Sequence, residues 1–295
     1  MNEFILSCCS TADMTNEYFE KRNIKYACFN YYLDGVRYPD DMGKTLPLSE
    51  FYQKMVDGAD TKTSQINIDE YYDYFEPFLI EGKDILHICL SSGLSGSYNS
   101  ARIAASDLRE KYPERKIYIV DSLGASSGFG LLVDALADLR DEGKDIDYIY
   151  NWAEENKLRV NLWFFSTDLT FYVKGGRVSK MAGLFGTALK ICPVLCVDAN
   201  GKLVPKTKAR GKANAIKEVF LKMLENADNG EKYNGKCYIS QSACMADANA
   251  VADLISENFK CMENKPEIFN IGTTIGSHTG PGTVAVFFWG KKREL

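Results

Sequence analysis

The chain has 295 residues, enough for two domains of ordinary size, and its 45% hydrophobic and 25% charged residues match a globular protein. A formal net charge of −5 argues against a general nucleic-acid binder, which needs a basic surface to displace counterions. No apolar run approaches the ~20 residues of a membrane-spanning helix, so no stable membrane insertion is expected.

The segment 1–9 carries an acid where a secretory signal needs a basic start, and its apolar run is too short for a signal core. A cytoplasmic chain is expected. An odd count of nine cysteines then reads as reduced thiols. Cys192 and Cys196 have the most metal-like spacing, yet the apolar residues between them fit a strand with two small buried thiols better. With only His87 and His278 available, no metal site and no cofactor are expected.

Residues 4–6 read as a short buried strand, left by a polar loop over 7–13. A helix over 15–21 precedes a strand over 26–32, which Asp34 and Gly35 end in a turn. Leu48, Phe51, Tyr52, Met55 and Val56 recur at helical spacing and predict a helix over 48–57. Thr63, Ser64 and Gln65 lie between this and an acidic, aromatic helix over 68–81. Strands follow over 84–90 and 116–120, and helices over 98–111, 129–142 and 146–156. Strand, polar loop and helix in alternation predict parallel pairing with crossover helices.

Beyond about residue 160 the pattern changes. Strands are expected over 162–167 and 192–197, the latter turning at 198–201 into a hairpin partner over 202–207. A short helix fits 184–189, and longer ones fit 213–225 and 246–258. Strands over 236–240, 267–271 and 283–289 complete the chain, the last after a glycine-rich loop over 276–282. The fold class is therefore α/β: an N-terminal parallel-sheet domain over 1–160 and a C-terminal α+β domain over 161–295.

Chemistry concentrates in a few places. Ser91, Ser92, Gly93, Leu94, Ser95, Gly96 and Ser97 leave a strand and open a helix, where small residues and free amides favour an anion. The run serves equally well as a glycine-rich turn with an N-cap serine. Its glycine spacing fits neither a dinucleotide fingerprint nor a P-loop. Thr63 offers a hydroxyl, although a capping role suits it alone. Arg177, after Gly175 and Gly176, projects from a tight turn or is simply solvated. His278 sits among glycines in a loop, where scaffolded sites are common, and its ordinary pKa of ~6.5 lets it donate in either form. His87, within an apolar strand, reads as a satisfied core residue.

In order, Ser10 to Asp13, Thr63 to Gln65, Ser91 to Tyr98, Val120 to Ser122, Gly175 to Val178 and His278 to Gly282 resemble the DegV family of fatty-acid-binding proteins, partners of bacterial fatty acid kinase. The resemblance runs from about residue 4 to 288. It implies a lipid tunnel between two domains, with Thr63, Ser92 or Ser95, and His278 on the carboxylate of a long-chain fatty acid such as palmitate, stearate or oleate. Arg177 and Gly93 would support that site or a partner contact. The chain would carry no catalytic residue and would present the carboxylate to a separate kinase. Cys9 stands where the family usually has an acid. Burying roughly fifteen methylenes at ~0.8 kcal/mol each would supply on the order of 10 kcal/mol, less ordering costs. The competing readings are an acyl hydrolase with Ser92 or Ser95 as nucleophile and His278 as base, and a regulatory module without a ligand.

Overall fold

The computed structural model describes residues 4–178 and 191–295, so the helix expected over 184–189 lies outside the described residues. Three sheets organise the described residues. The first is parallel, in the order β2-β1-β6-β7, from β1 (Phe4–Cys9), β2 (Lys25–Ala27), β6 (Asp84–Cys89) and β7 (Ile117–Asp121). Crossovers run through α1 (Asn16–Lys21), α3 (Ile68–Ile80) and α4 (Ser97–Lys111). All six residues of β6 are buried, the near-continuous apolar run that a parallel strand covered on both faces requires.

The second sheet has six strands of mixed direction in the order β10-β9-β8-β13-β11-β12. They are β8 (Val160–Ser166), β9 (Ile191–Val197), β10 (Leu203–Arg210), β11 (Cys237–Gln241), β12 (Glu267–Asn270) and β13 (Thr283–Trp289). Helices α8 (Lys212–Asn226) and α9 (Met245–Asn258) cover one of its faces. Against the other face lies α5 (Ser127–Asp141), with α6 (Ile146–Asn156) behind it. A Cβ on Gly128 would fall 2.4 Å from Leu162 and 2.7 Å from Phe287, so a glycine there lets α5 approach β8 and β13. The α/β class and its two kinds of sheet agree with the sequence.

Three local expectations change. The strand expected over 26–32 is two strands in different sheets: β2 ends at Ala27, and β3 (Asn30–Leu33) joins β4 (Val36–Pro39) and β5 (Thr61–Ser64) in a small antiparallel sheet. Alternating apolar residues continue through both, so periodicity hides the break. Thr63 accordingly sits on β5, paired with Tyr31, rather than in a cap between helices. The polar loop expected from Ser7 begins later, because β1 continues to Cys9 before a 3-10 turn over Ser10–Ala12. Helix α2 (Leu48–Val56) follows its expected span and packs Phe51, Tyr52 and Met55 into the small sheet's core.

Candidate functional site

A cavity of about 470 Å³ lies between the carboxyl-end loops of the parallel sheet and the face of the second sheet turned away from α8 and α9. That volume is within the range of small-molecule sites, ~300–1,000 Å³. Its apolar wall follows from strand alternation. Leu162 and Phe164 on β8, and Ala285 and Phe287 on β13, face the cavity. The intervening Phe165, Val284, Val286 and Phe288 pack toward α8 and α9.

The polar end gathers Thr63, Gln65, Ser92, Ser95, Arg177 and His278. His278 belongs to α10 (Thr273–Thr279), not to the glycine loop expected from the sequence. Its neighbouring glycines resemble a loop signal but meet packing needs, as Gly276 does where a Cβ would strike Tyr52. The imidazole Nε2 lies 2.7 Å from the hydroxyl of Thr63. Burial, and then the nearby Arg177 charge, lower the His278 pKa to about 4, so the ring is neutral near pH 7. If Thr63 donates to Nε2, the proton resides on Nδ1, a buried atom without a hydrogen-bond partner among the described residues. The expectation of a donor in either charge state is thereby corrected to a neutral donor.

Gly175 and Gly176 follow α7 (Thr170–Lys174) and serve different purposes. A Cβ on Gly175 would lie 2.2 Å from Nδ1 of His278, whereas Gly176 takes φ +71° to reverse the chain. Arg177 then turns inward, donating to the carbonyls of Leu94 at 3.3 Å and Gly175 at 2.5 Å. No carboxylate forms an ion pair with it among the described residues. Burial lowers its pKa, the mark of a cation short of compensation.

The serine loop is held from behind. Asp121 accepts from the amides of Ser92 and Leu123, each at 3.1 Å. The hydroxyl of Ser91 donates to the carbonyl of Gly201 at 2.8 Å in the hairpin turn. Gly93 is needed for that contact, since its Cβ would lie 2.6 Å from the carbonyl oxygen of Asn200. Ser95 accepts from the amide of Ser97 at 3.2 Å, and Ser92 is exposed. Neither serine hydrogen-bonds to His278, so the nucleophile–base pair of the hydrolase reading is not formed among the described residues.

Other features escaped the sequence. Asp13 and Asp40 are both buried, their pKa values raised by burial, with Asp40 adding to the rise at Asp13. Ser126, which lines the cavity, donates to Asp13 at 2.5 Å, and Thr273 at the start of α10 donates to Asp40 at 2.7 Å. Cys192 and Cys196 are buried in β9, as a strand reading implies, while Cys9, Cys89 and His87 converge within the parallel sheet. Only strand register brings that second group together, and no local spacing signals it.

No helix of the described residues is long and apolar enough to cross a membrane. A family model described as "Uncharacterised protein, DegV family" matches residues 9–291. A DegV domain-containing protein of Clostridium perfringens is 36% identical over 294 residues, covering 100% of both chains. A Thermotoga maritima protein, whose structure is described as revealing a fatty acid binding function, superposes with a TM-score of 0.84 at 26% identity, over 99% of this chain and 100% of the other. The Streptococcus pneumoniae fatty acid kinase B3 protein, loaded with linoleic acid, shares the fold with a TM-score of 0.83 at 21% identity, over 99% of this chain and 100% of that one. The chain belongs to the DegV family.

Proposed function

We propose that this protein binds a long-chain fatty acid in the cavity between its sheets and presents the carboxylate to a fatty acid kinase. The observation that carries the reading is Arg177, a partly buried cation with no ion pair among the described residues, at the polar end of an apolar cavity. A carboxylate there would satisfy Arg177 and accept from Nδ1 of neutral His278, with the hydroxyls of Thr63, Ser92 and Ser95 around it. Charge-assisted hydrogen bonds are roughly twice as strong as neutral ones, which fixes orientation, while the acyl chain supplies most of the affinity. The fatty acid binding function described for the Thermotoga protein and the linoleic acid loaded on the pneumococcal one support this reading. So does the kinase named for the latter. Gly93 and Gly175 are supporting positions, and a division near residue 160 into two units belongs to the same proposal.

On this reading the chain carries its ligand and does no chemistry alone. Native mass spectrometry of the purified protein should show a co-purified long-chain fatty acid. A reconstitution with ATP, labelled fatty acid and the cognate kinase should yield acyl phosphate only with the kinase present. Product from this chain and ATP alone would overturn the carrier role. Unchanged affinity in both Thr63→Val and Ser95→Ala would overturn the head-group assignment.

A further inference from the structure

Beneath the serine loop, β1 and β6 run in parallel register with Ser7 opposite His87 and Cys8 opposite Ile88, which sets Cys9 beside Cys89. Side chains two apart share a face, so Ser7, Cys9, His87 and Cys89 all point to one side of the sheet. Helix α3 lies over that side, and Tyr71 reaches down from it. The sulfurs of Cys9 and Cys89 and one nitrogen of His87 lie within 4.8 Å of one another. Cys9 Sγ is 3.7 Å from His87 Nε2 and 3.3 Å from the Tyr71 hydroxyl, which in turn is 3.9 Å from Cys89 Sγ.

These separations resemble the edges of a coordination tetrahedron. Zinc bonds of ~2.0–2.3 Å to oxygen, nitrogen and sulfur place neighbouring donors about 3.3–3.8 Å apart. The other ring nitrogen of His87 lies 2.7 Å from the hydroxyl of Ser7, an outer partner that fixes ring orientation and directs Nε2 inward. Tyr74 and Phe75 pack edge-on against the imidazole, giving the cluster an apolar jacket. The sulfurs and His87 are fully buried.

We propose that Cys9, Cys89 and His87 hold a zinc ion in a buried structural site, with the hydroxyl of Tyr71 closing its fourth side. The donor set is soft and suits zinc rather than calcium or magnesium, which take oxygen ligands. Two thiolates balance a divalent charge, so an ion held by them and a neutral histidine adds no net charge to the interior, while the protonated phenol of Tyr71 beside it is only a weak fourth donor. The thiol protons leave to solvent as the chain folds around the ion, since binding requires deprotonated cysteines. Tyr71 also lies 2.8 Å from the hydroxyl of Ser97, the first residue of α4. The ion would therefore brace the helix that opens from the serine loop.

The test is metal content of the full chain, expressed in zinc-supplemented medium and purified under reducing conditions. Elemental analysis after desalting should find about one zinc per chain in the wild type and in Cys192→Ser, and at most about a tenth of that in Cys9→Ser and Cys89→Ser. Far-UV circular dichroism identifies folded variants. Cobalt(II) substituted during growth supplies a reading independent of the variants, because thiolate ligation produces an intense sulfur-to-metal charge-transfer absorption. Wild-type protein without zinc under these conditions, or folded Cys9→Ser and Cys89→Ser proteins with as much zinc as the wild type, would overturn the proposal. So would bound cobalt without the thiolate absorption. Fatty acid retention, read in the same samples, is a separate outcome and leaves the two proposals distinguishable.

Discussion

Replacing Arg177 with methionine keeps a long apolar stem and removes the guanidinium. In the structure that group meets two carbonyl oxygens and no carboxylate ion pair among the described residues, and burial lowers its pKa. Stability and ligand affinity should then move independently. Without ligand, Arg177→Met loses two hydrogen bonds but also a poorly solvated charge, so unfolding free energy should change by less than about 1 kcal/mol. With a fatty acid it loses a hydrogen bond to a charged group, worth ~1.5–3 kcal/mol, or about a tenfold to hundredfold rise in Kd. The contrast lies with the fatty alcohol of equal chain length, which buries the same methylenes and carries no charge. Arg177→Met should bind the alcohol within about threefold of the wild type, a difference below 1 kcal/mol. Delipidated protein titrated with both ligands, alongside urea unfolding, measures all three quantities. Equal losses for acid and alcohol would refute the reasoning, because the arginine would then be shaping the cavity rather than pairing with a carboxylate.

Other expectations follow from the same geometry. Gly175→Ala drives a methyl group against His278 and should destabilise the protein by ~1–3 kcal/mol while weakening fatty acid binding, both read by urea unfolding and ligand titration. Wild-type values for both would show that the close approach does not matter. Ala285→Phe projects a ring into the cavity and should reduce affinity for long-chain acids at least tenfold, with stability kept within about 1.5 kcal/mol. Unaltered affinity would place the acyl chain elsewhere. His278 titrates at about 4 when folded, against an ordinary 6.5. The unfolded chain binds that proton first, so stability is full above about pH 6.5 and falls as pH drops toward 4, by about 3 kcal/mol in all. The raised carboxyl pKa values of Asp13 and Asp40 act in the opposite sense, so the difference between wild type and His278→Gln is the relevant measure. Identical pH profiles for the two proteins would count against a neutral buried imidazole.

The fold was legible where one physical signal dominated. Parallel strands such as β6 read as near-continuous apolar runs, and the amphipathic helix α2 declared itself by spacing. The small antiparallel sheet was not legible, because alternation continues from β2 into β3 while the chain changes sheets between them. Among the site residues, the serine loop, Arg177 and His278 stood out by composition, and the structure brings them to one cavity with Thr63. Their secondary structure was harder to read. Glycines beside His278 serve packing within and around a short helix, which from sequence alone is indistinguishable from a loop. The Cys9, His87 and Cys89 cluster depends on register between strands some 80 residues apart, and a single sequence carries no record of register.

Strands β8 and β13 have one face toward the cavity and the other toward the packed helices. That arrangement partitions the work of selection. On the proposed function, changes at 162, 164, 285 or 287 would alter the length or shape of acyl chain that the cavity accepts, while every second residue between them continues to anchor α8 and α9. A lineage could then retune ligand preference one residue at a time without dismantling the layer on the far side of the sheet. Diversity among relatives should then collect on the cavity-facing parity of these two strands, and restraint on the other.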